Sequence, residues 1–159
     1  MSLNPRNPEE VLRTFDRSLP MALLRAREAV MKKFVPFLRE HDLSAQQWRV
    51  LRALYNSNGL EMTEISQQCF LLMPSLSRIV QNLQKRDLIQ RQVIPEDQRR
   101  SRLSLTPKAR ALVELVAPES EQQYAHITEV FGYGKLELLY ELLEELVDKL
   151  EIAEQQSRG

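Results

Sequence analysis

Cysteine, histidine and glycine are all scarce in this sequence. Cys69 is the single cysteine in 159 residues, so no disulfide can form within the chain. With only His41 and His126 beside it, there is little material for a zinc site, and structural roles are expected for both histidines. Four glycines are too few for a glycine-rich nucleotide fold. No apolar run approaches the roughly 18 residues of a membrane span, although hydrophobic residues make up 43% of the chain and charged residues 28%. The opening MSLNPRNPEE has neither a basic start nor a following apolar stretch, so a soluble, cytoplasmic protein without membrane contact is expected. The length suits a single domain, residues 1–159. Enzymatic chemistry has no obvious carrier: no serine, cysteine or lysine has a recognisable paired base, and no carboxylate pair suggests acid–base work. No cofactor and no metal are expected.

What is present is charge unevenly placed. Residues 1–71 carry ten basic and eight acidic side chains, residues 72–110 nine against three, and residues 111–159 three against eleven. The formal net charge is zero, yet the local balances are +2, +6 and −8. A field is local on a Debye length of about 8 Å, so a neutral chain with one basic block can hold a polyanion there. Nucleic acid is the first partner to consider, against the plain alternative of a solvated charged face.

The apolar periodicity is helical almost throughout. From Pro8 to Glu40, Leu12, Phe15, Leu19, Leu23, Leu24, Val30, Phe34, Phe37 and Leu38 recur mostly at three- and four-residue steps, with Pro20 and Pro36 expected to restart or kink the helix. Ser44 and Gln47 form a capping-box pattern before the stripe Trp48, Leu51, Leu54, Tyr55. A shorter helix spans about Met62 to Cys69, with Ile65 and Cys69 inward. Pro74 then suits the first turn of a fourth helix, in which Leu76, Ile79, Val80 and Leu83 make the buried stripe. That stripe leaves Ser75, Ser77, Arg78, Gln81, Asn82 and Lys85 outward, a polar and basic set with no acid. After Asp87 the period shortens to two, and Ile89, Arg91, Val93 and Leu103, Leu105 predict two strands flanking a polar tip, Pro95 to Arg100. Thr106-Pro107 opens a fifth helix, which Pro118 is expected to bend. A turn at Gly132-Tyr133-Gly134 precedes a last helix with the stripe Leu136, Leu139, Leu142, Leu143, Leu146, Val147, Leu150. The class is mainly α with a small β-hairpin: a winged helix-turn-helix at residues 44–106, wing about 88–105, between helical segments at 8–41 and 107–154. The major groove, about 12 Å wide, admits one helix, and a neighbouring hairpin can reach the backbone or minor groove.

The stretches LSAQQWRVLRAL, LLMPSLSRIVQNLQKRDLI and PEDQRRSRLSLTPKAR resemble the MarR family of bacterial transcription regulators in order, spacing and wing motif, Asp97-x-Arg99-Arg100 then Leu-x-Leu-Thr-Pro. One departure is Asp87, where many members place glycine. More narrowly, RSLPMALLRAREAVMKKFVPFLREHDLSAQQWRVLRAL and DQRRS resemble members that repress homoprotocatechuate degradation. The resemblance implies a homodimeric repressor of an aromatic-acid catabolic operon on pseudo-palindromic double-stranded DNA, released by a small aromatic carboxylate; hydroxycinnamate catabolism or a stress response is the alternative, and a helical module that binds protein rather than DNA a further one. It implies that Ser75, Ser77, Arg78, Gln81, Asn82 and Lys85 face the groove, that Arg99 and Arg100 enter the minor groove, and that Asp97 braces the tip through Arg99. Arg102 and Lys108 are phosphate contacts or plain surface charges. The terminal helices match the family's dimerisation region, although a leucine stripe can equally be buried within one chain.

An aromatic carboxylate needs a cationic or hydrogen-bonding anchor and a flat apolar wall. Arg17, Ser18, Met21 and Arg25, with Trp48 and Arg49, are the candidates, and the four-residue spacing of Arg17, Met21 and Arg25 predicts one shared helix face. The plain alternative makes Trp48 a core anchor and the arginines exposed or dimer-bridging. Cys69 reads as a core cysteine, with an oxidation sensor as the alternative.

Overall fold

The computed structural model describes residues 11–159; the expected helical start at Pro8 lies outside the described residues. A short 3-10 turn, Phe15–Arg17, leads into α1 (Leu19–Glu40). There follow α2 (Ala45–Tyr55), α3 (Met62–Cys69), α4 (Met73–Lys85), strands β1 (Ile89–Ile94) and β2 (Asp97–Leu105), α5 (Pro107–Phe131) and α6 (Tyr133–Arg158). Pro20 sits in the first turn of α1, where its missing N–H costs nothing. Pro36 and Pro118 lie inside α1 and α5, and neither ends its helix. By its internal packing the chain divides into two compact units, one reaching to Val116 and the other Ala117–Gly159.

The core of the first unit is built from one face of each helix. Phe34, Phe37 and Leu38 from α1, Val50, Leu51 and Leu54 from α2, Ile65 and Cys69 from α3, and Leu76, Ile79, Val80 and Leu83 from α4 are all buried. Leu103 and Leu105 of β2 and Ala109, Val113 and Val116 of α5 close it. Burying a side chain of this size removes about 1.5–3 kcal/mol of solvent exposure cost, which fixes the rotation of each helix about its axis. The capping box at the start of α2 is complete: Gln47 N–H donates to Ser44 Oγ at 3.0 Å and Ser44 N–H to Gln47 Oε1 at 2.9 Å. On the solvent side of α2, the Arg110 guanidinium lies 4.9 Å from the Tyr55 ring centre, and Tyr55 Oη donates to Glu114 at 3.3 Å.

With so few glycines, helix ends fall to other residues. Asp42, Phe70 and Asp87 take left-handed backbone, at φ 54°, 52° and 57°, after α1, α3 and α4. Each permits the following N–H to reach back five residues: Leu43 to Leu38, Leu71 to Ser66, and Leu88 to Leu83. Aspartate tolerates this conformation better than most side chains, so Asp87 makes the turn without a glycine.

The hairpin is antiparallel, and a third segment joins it, because Leu60 and Leu103 exchange backbone hydrogen bonds at 2.9 and 2.8 Å. Gly59 makes that approach possible: its φ is +127°, and a Cβ there would meet Arg102 Cβ at 3.3 Å.

In the second unit, α6 buries none of its residues. Leu139, Leu142, Leu143, Val147 and Leu150 are all exposed. The first half of α1 is similar, with Leu19, Leu23, Leu24 and Val30 exposed. The apolar stripes expected from the sequence are present, but one chain leaves these parts uncovered.

Thr106 joins the wing to α5. It is buried, donates to Asp87 O at 2.7 Å and accepts from Ala109 N–H at 3.1 Å. Thr106→Ala strands both groups, and urea unfolding at fixed protein concentration should show about 1–2 kcal/mol of lost stability. A midpoint equal to the parent's would show that this bridge contributes nothing.

Candidate nucleic-acid interface

The buried stripe of α4 forces its other side outward. Ser75, Arg78, Gln81, Asn82 and Lys85 are exposed and Ser77 is half-exposed. Ser75, Ser77, Arg78, Gln81 and Lys85 have no hydrogen-bond partner among the described residues, whereas Asn82 Oδ1 accepts from Gln47 Nε2 at 2.9 Å. Asn82 therefore ties α4 to α2 and retains only its N–H donors for another partner. The turn before α4 is apolar on its outer surface, where Phe70, Leu72 and Met73 are exposed.

The wing differs from the expected layout. Its turn is Pro95-Glu96 alone, and β2 already begins at Asp97. The register passes from Val93–Ser101 directly to Ile94–Asp97, so Gln98, Arg99 and Arg100 form an excursion with no partner on β1. Irregularities of this kind re-aim side chains. Asp97 Oδ1 accepts from Arg99 N–H at 3.0 Å and lies 3.9 Å from the Arg99 guanidinium. The Arg99 side chain is 95% exposed. Arg100 instead turns back to Glu61, the N-cap of α3, donating through Nε to Oε2 at 3.2 Å and through Nη2 to Oε1. That hydrogen bond, with the Arg100 charge, holds the Glu61 carboxyl below its usual range. The pair therefore persists to more acid pH than a lone glutamate allows, and is lost as pH falls through that lowered pKa. Arg102 is exposed. Lys108 donates to Arg86 O at 3.0 Å and so closes the end of α4.

Residues 75–108 thus carry six arginines, two lysines and several amides against three acids, and Arg78, Lys85, Arg99 and Arg102 among them are exposed. Such a surface offers hydrogen-bond donors for phosphates and bidentate groups for base edges.

The family model described as "MarR family" matches residues 41–100. The HTH-type transcriptional regulator FarR of Neisseria gonorrhoeae is 38% identical over 81% of this chain and 88% of its own. The chain belongs to the MarR family. The homoprotocatechuate degradative operon repressor of Escherichia coli is 35% identical over 82% of this chain and 88% of its own. Among solved MarR-like structures, NadR in complex with 4-hydroxyphenylacetate is 36% identical, with TM-score 0.74, over 86% of this chain and 97% of that one. The repressor CouR bound to a 23-mer DNA duplex is 27% identical, with TM-score 0.76, over 87% and 99%. The protein is a MarR-family transcriptional regulator with a winged-helix fold, a class of DNA-binding regulators rather than enzymes.

For a MarR-family effector site, the structure separates the six candidates. Arg17 belongs to the 3-10 turn, because Ser18 is the N-cap of α1; it does not share the α1 face on which Met21 and Arg25 lie one turn apart. The shared helix face expected from the spacing of all three is therefore not formed. The buried part of α1 begins at Phe34, roughly 13 Å beyond Arg25 at about 1.5 Å per residue. On α2, Trp48 is half-buried, and Arg49 is occupied, donating to Cys69 O at 2.9 Å. A shallow depression of about 370 Å³ lies beside Val35, Arg39, Asp42 and Leu43, and none of the six lines it.

Cys69 is buried, and desolvation pushes its thiol up despite the nearby Arg49 charge. That environment disfavours the thiolate which oxidation and alkylation require. His41 caps α1 through its backbone N–H, and His126 is exposed on α5. None of the described helices is long and apolar enough to cross a membrane.

Proposed function

We propose that this regulator is a homodimeric repressor that reads a pseudo-palindromic operator through α4 and the wing, and that a small aromatic carboxylate releases it. The observation that carries the DNA reading is the acid-free outer face of α4, with Arg78 and Gln81 unpartnered and one turn apart in the middle of the helix. Arg pairs bidentately with guanine and Gln with adenine, so these two specify bases, while Ser75, Ser77 and Lys85 hold phosphates. Asn82 contributes through its remaining donors, and Arg99 and Arg102 extend the contact along the wing.

The uncovered apolar residues of α1 and α6 support the dimer. An isologous two-fold interface buries the same stripe on both chains, and it presents two recognition helices about 34 Å apart, one turn of DNA. The aromatic effector is supported by the likeness to the homoprotocatechuate repressor and to NadR, whose structure holds 4-hydroxyphenylacetate. Met21 and Arg25 of α1, with Arg17 and Ser18 beside them, supply the anchor, and Trp48 supplies the wall. Arg49, bound to Cys69 O, positions α2 and holds no ligand.

Alanine at Arg78 or Gln81 should weaken binding to a duplex selected from random DNA by about 1–3 kcal/mol and relax preference at particular base pairs. Unchanged base preferences for both variants would contradict the assignment of α4.

Release by ligand requires that ligand and operator favour different states, with a coupling of about 1–3 kcal/mol that is reciprocal. Calorimetric titration of 3,4-dihydroxyphenylacetate and 4-hydroxyphenylacetate should therefore show weaker affinity for protein saturated with operator than for free protein. Equal affinities would remove the allosteric reading, and no binding at millimolar ligand would remove these two ligands.

A further inference from the structure

The two adjacent wing arginines stand in different surroundings. Arg99 is almost wholly exposed, and among the described residues its guanidinium meets only the Asp97 carboxylate, at 3.9 Å. Arg100 is 55% exposed and makes two hydrogen bonds to a carboxylate that is itself 21% exposed. The backbone of Glu61 is already fixed, since it is the N-cap of α3 and its N–H donates to Glu64 Oε1 at 3.0 Å. Next to it, Leu60 is bonded to Leu103 in both directions.

We propose that Arg100 is a positioning residue and not a DNA contact: pinned to Glu61, it holds the partnerless Gln98–Arg100 excursion against the start of α3 and so aims Arg99. The proposal rests on the wing lying against DNA, as set out above. Three residues with no register partner on β1 are ordered less by the ladder than their neighbours, and their conformational freedom is limited in some other way. Asp97 holds the excursion at its start and Arg100 holds it at its end, leaving Arg99 between two fixed points. For Arg100 to enter a groove it would have to leave Glu61, exposing an unpaired carboxylate beside the phosphates. A planar guanidinium donating along two parallel directions also sets an orientation that a lysine ammonium does not.

The full-length protein and a duplex it has selected from random DNA serve for the test. Glu61→Ser removes the tether but leaves a preferred N-cap, so the start of α3 is retained. In free protein, 15N relaxation should show Gln98–Arg100 becoming more mobile in Arg100→Ala and in Glu61→Ser, and remaining parent-like in Arg99→Ala. On DNA, Arg100→Ala and Glu61→Ser should weaken binding by a similar factor, about five- to tenfold, and neither should weaken it further once Arg99 is alanine. The contrary results are distinct. If Arg100→Ala costs the same factor with and without Arg99, or if Glu61→Ser tightens binding as loss of an acidic charge near DNA should, Arg100 is a DNA contact and the proposal fails. Unchanged relaxation in both tether variants also overturns it, leaving the DNA reading intact. Parent-like affinity of Arg99→Ala removes the wing from the interface, and the aiming role with it.

Discussion

The burial of Leu76, Ile79, Val80 and Leu83 on one side of α4 is the constraint on which the rest depends. These side chains pack against the other helices of the first unit, and a rotation of α4 by even one residue would expose some of them. The opposite face is thereby committed to solvent, with Arg78 and Gln81 on it. The same packing places the end of α4 where Leu88 can donate back to Leu83 and where Lys108 and Thr106 close the following turn. The hairpin then leaves α4 in a fixed direction, and the Leu60–Leu103 bridge seats it beside α3.

A second constraint is charge segregation. The basic block lies within α4, the hairpin and the start of α5, and the acidic excess lies beyond residue 110. On the proposed reading, a DNA duplex is attracted by the one and repelled by the other, so electrostatics favours encounter at the basic segment before any base is read. Acidic and apolar residues alternate around α6, an arrangement suited to a helix that pairs through its leucines and stays soluble elsewhere.

Features set by local rules were legible in the sequence. The Ser44–Gln47 capping box, the inward Ile65 and Cys69, the α4 stripe and the Asp97 brace all depend on residues within one or two turns of each other, where periodicity and capping chemistry act directly. What escaped depends on residues far apart in the chain or on the backbone. Glu61 and Arg100 are separated by 39 positions, as Gln47 and Asn82 are by 35 and Arg49 and Cys69 by 20. Neither partner of such a pair carries a local signal of the other. Pro20 in the first turn of α1 did signal that the helix starts near Ser18, and that start separates Arg17 from Met21 and Arg25. The wing excursion was hidden because strand alternation fixes which residues pair only while the register holds. Left-handed Phe70 was hidden because nothing in a phenylalanine announces it.

The proposed mode of binding sets a two-fold pair of recognition helices with flanking wings on one face of DNA. Hydroxyl-radical footprinting of the full-length protein on a duplex selected from random sequence tests this most directly. The account predicts protection on one face of the duplex, symmetric about a centre, with cleavage suppressed in the minor grooves outside two major-groove segments about one helical turn apart. A single asymmetric patch, or protection confined to one half-site, would contradict it.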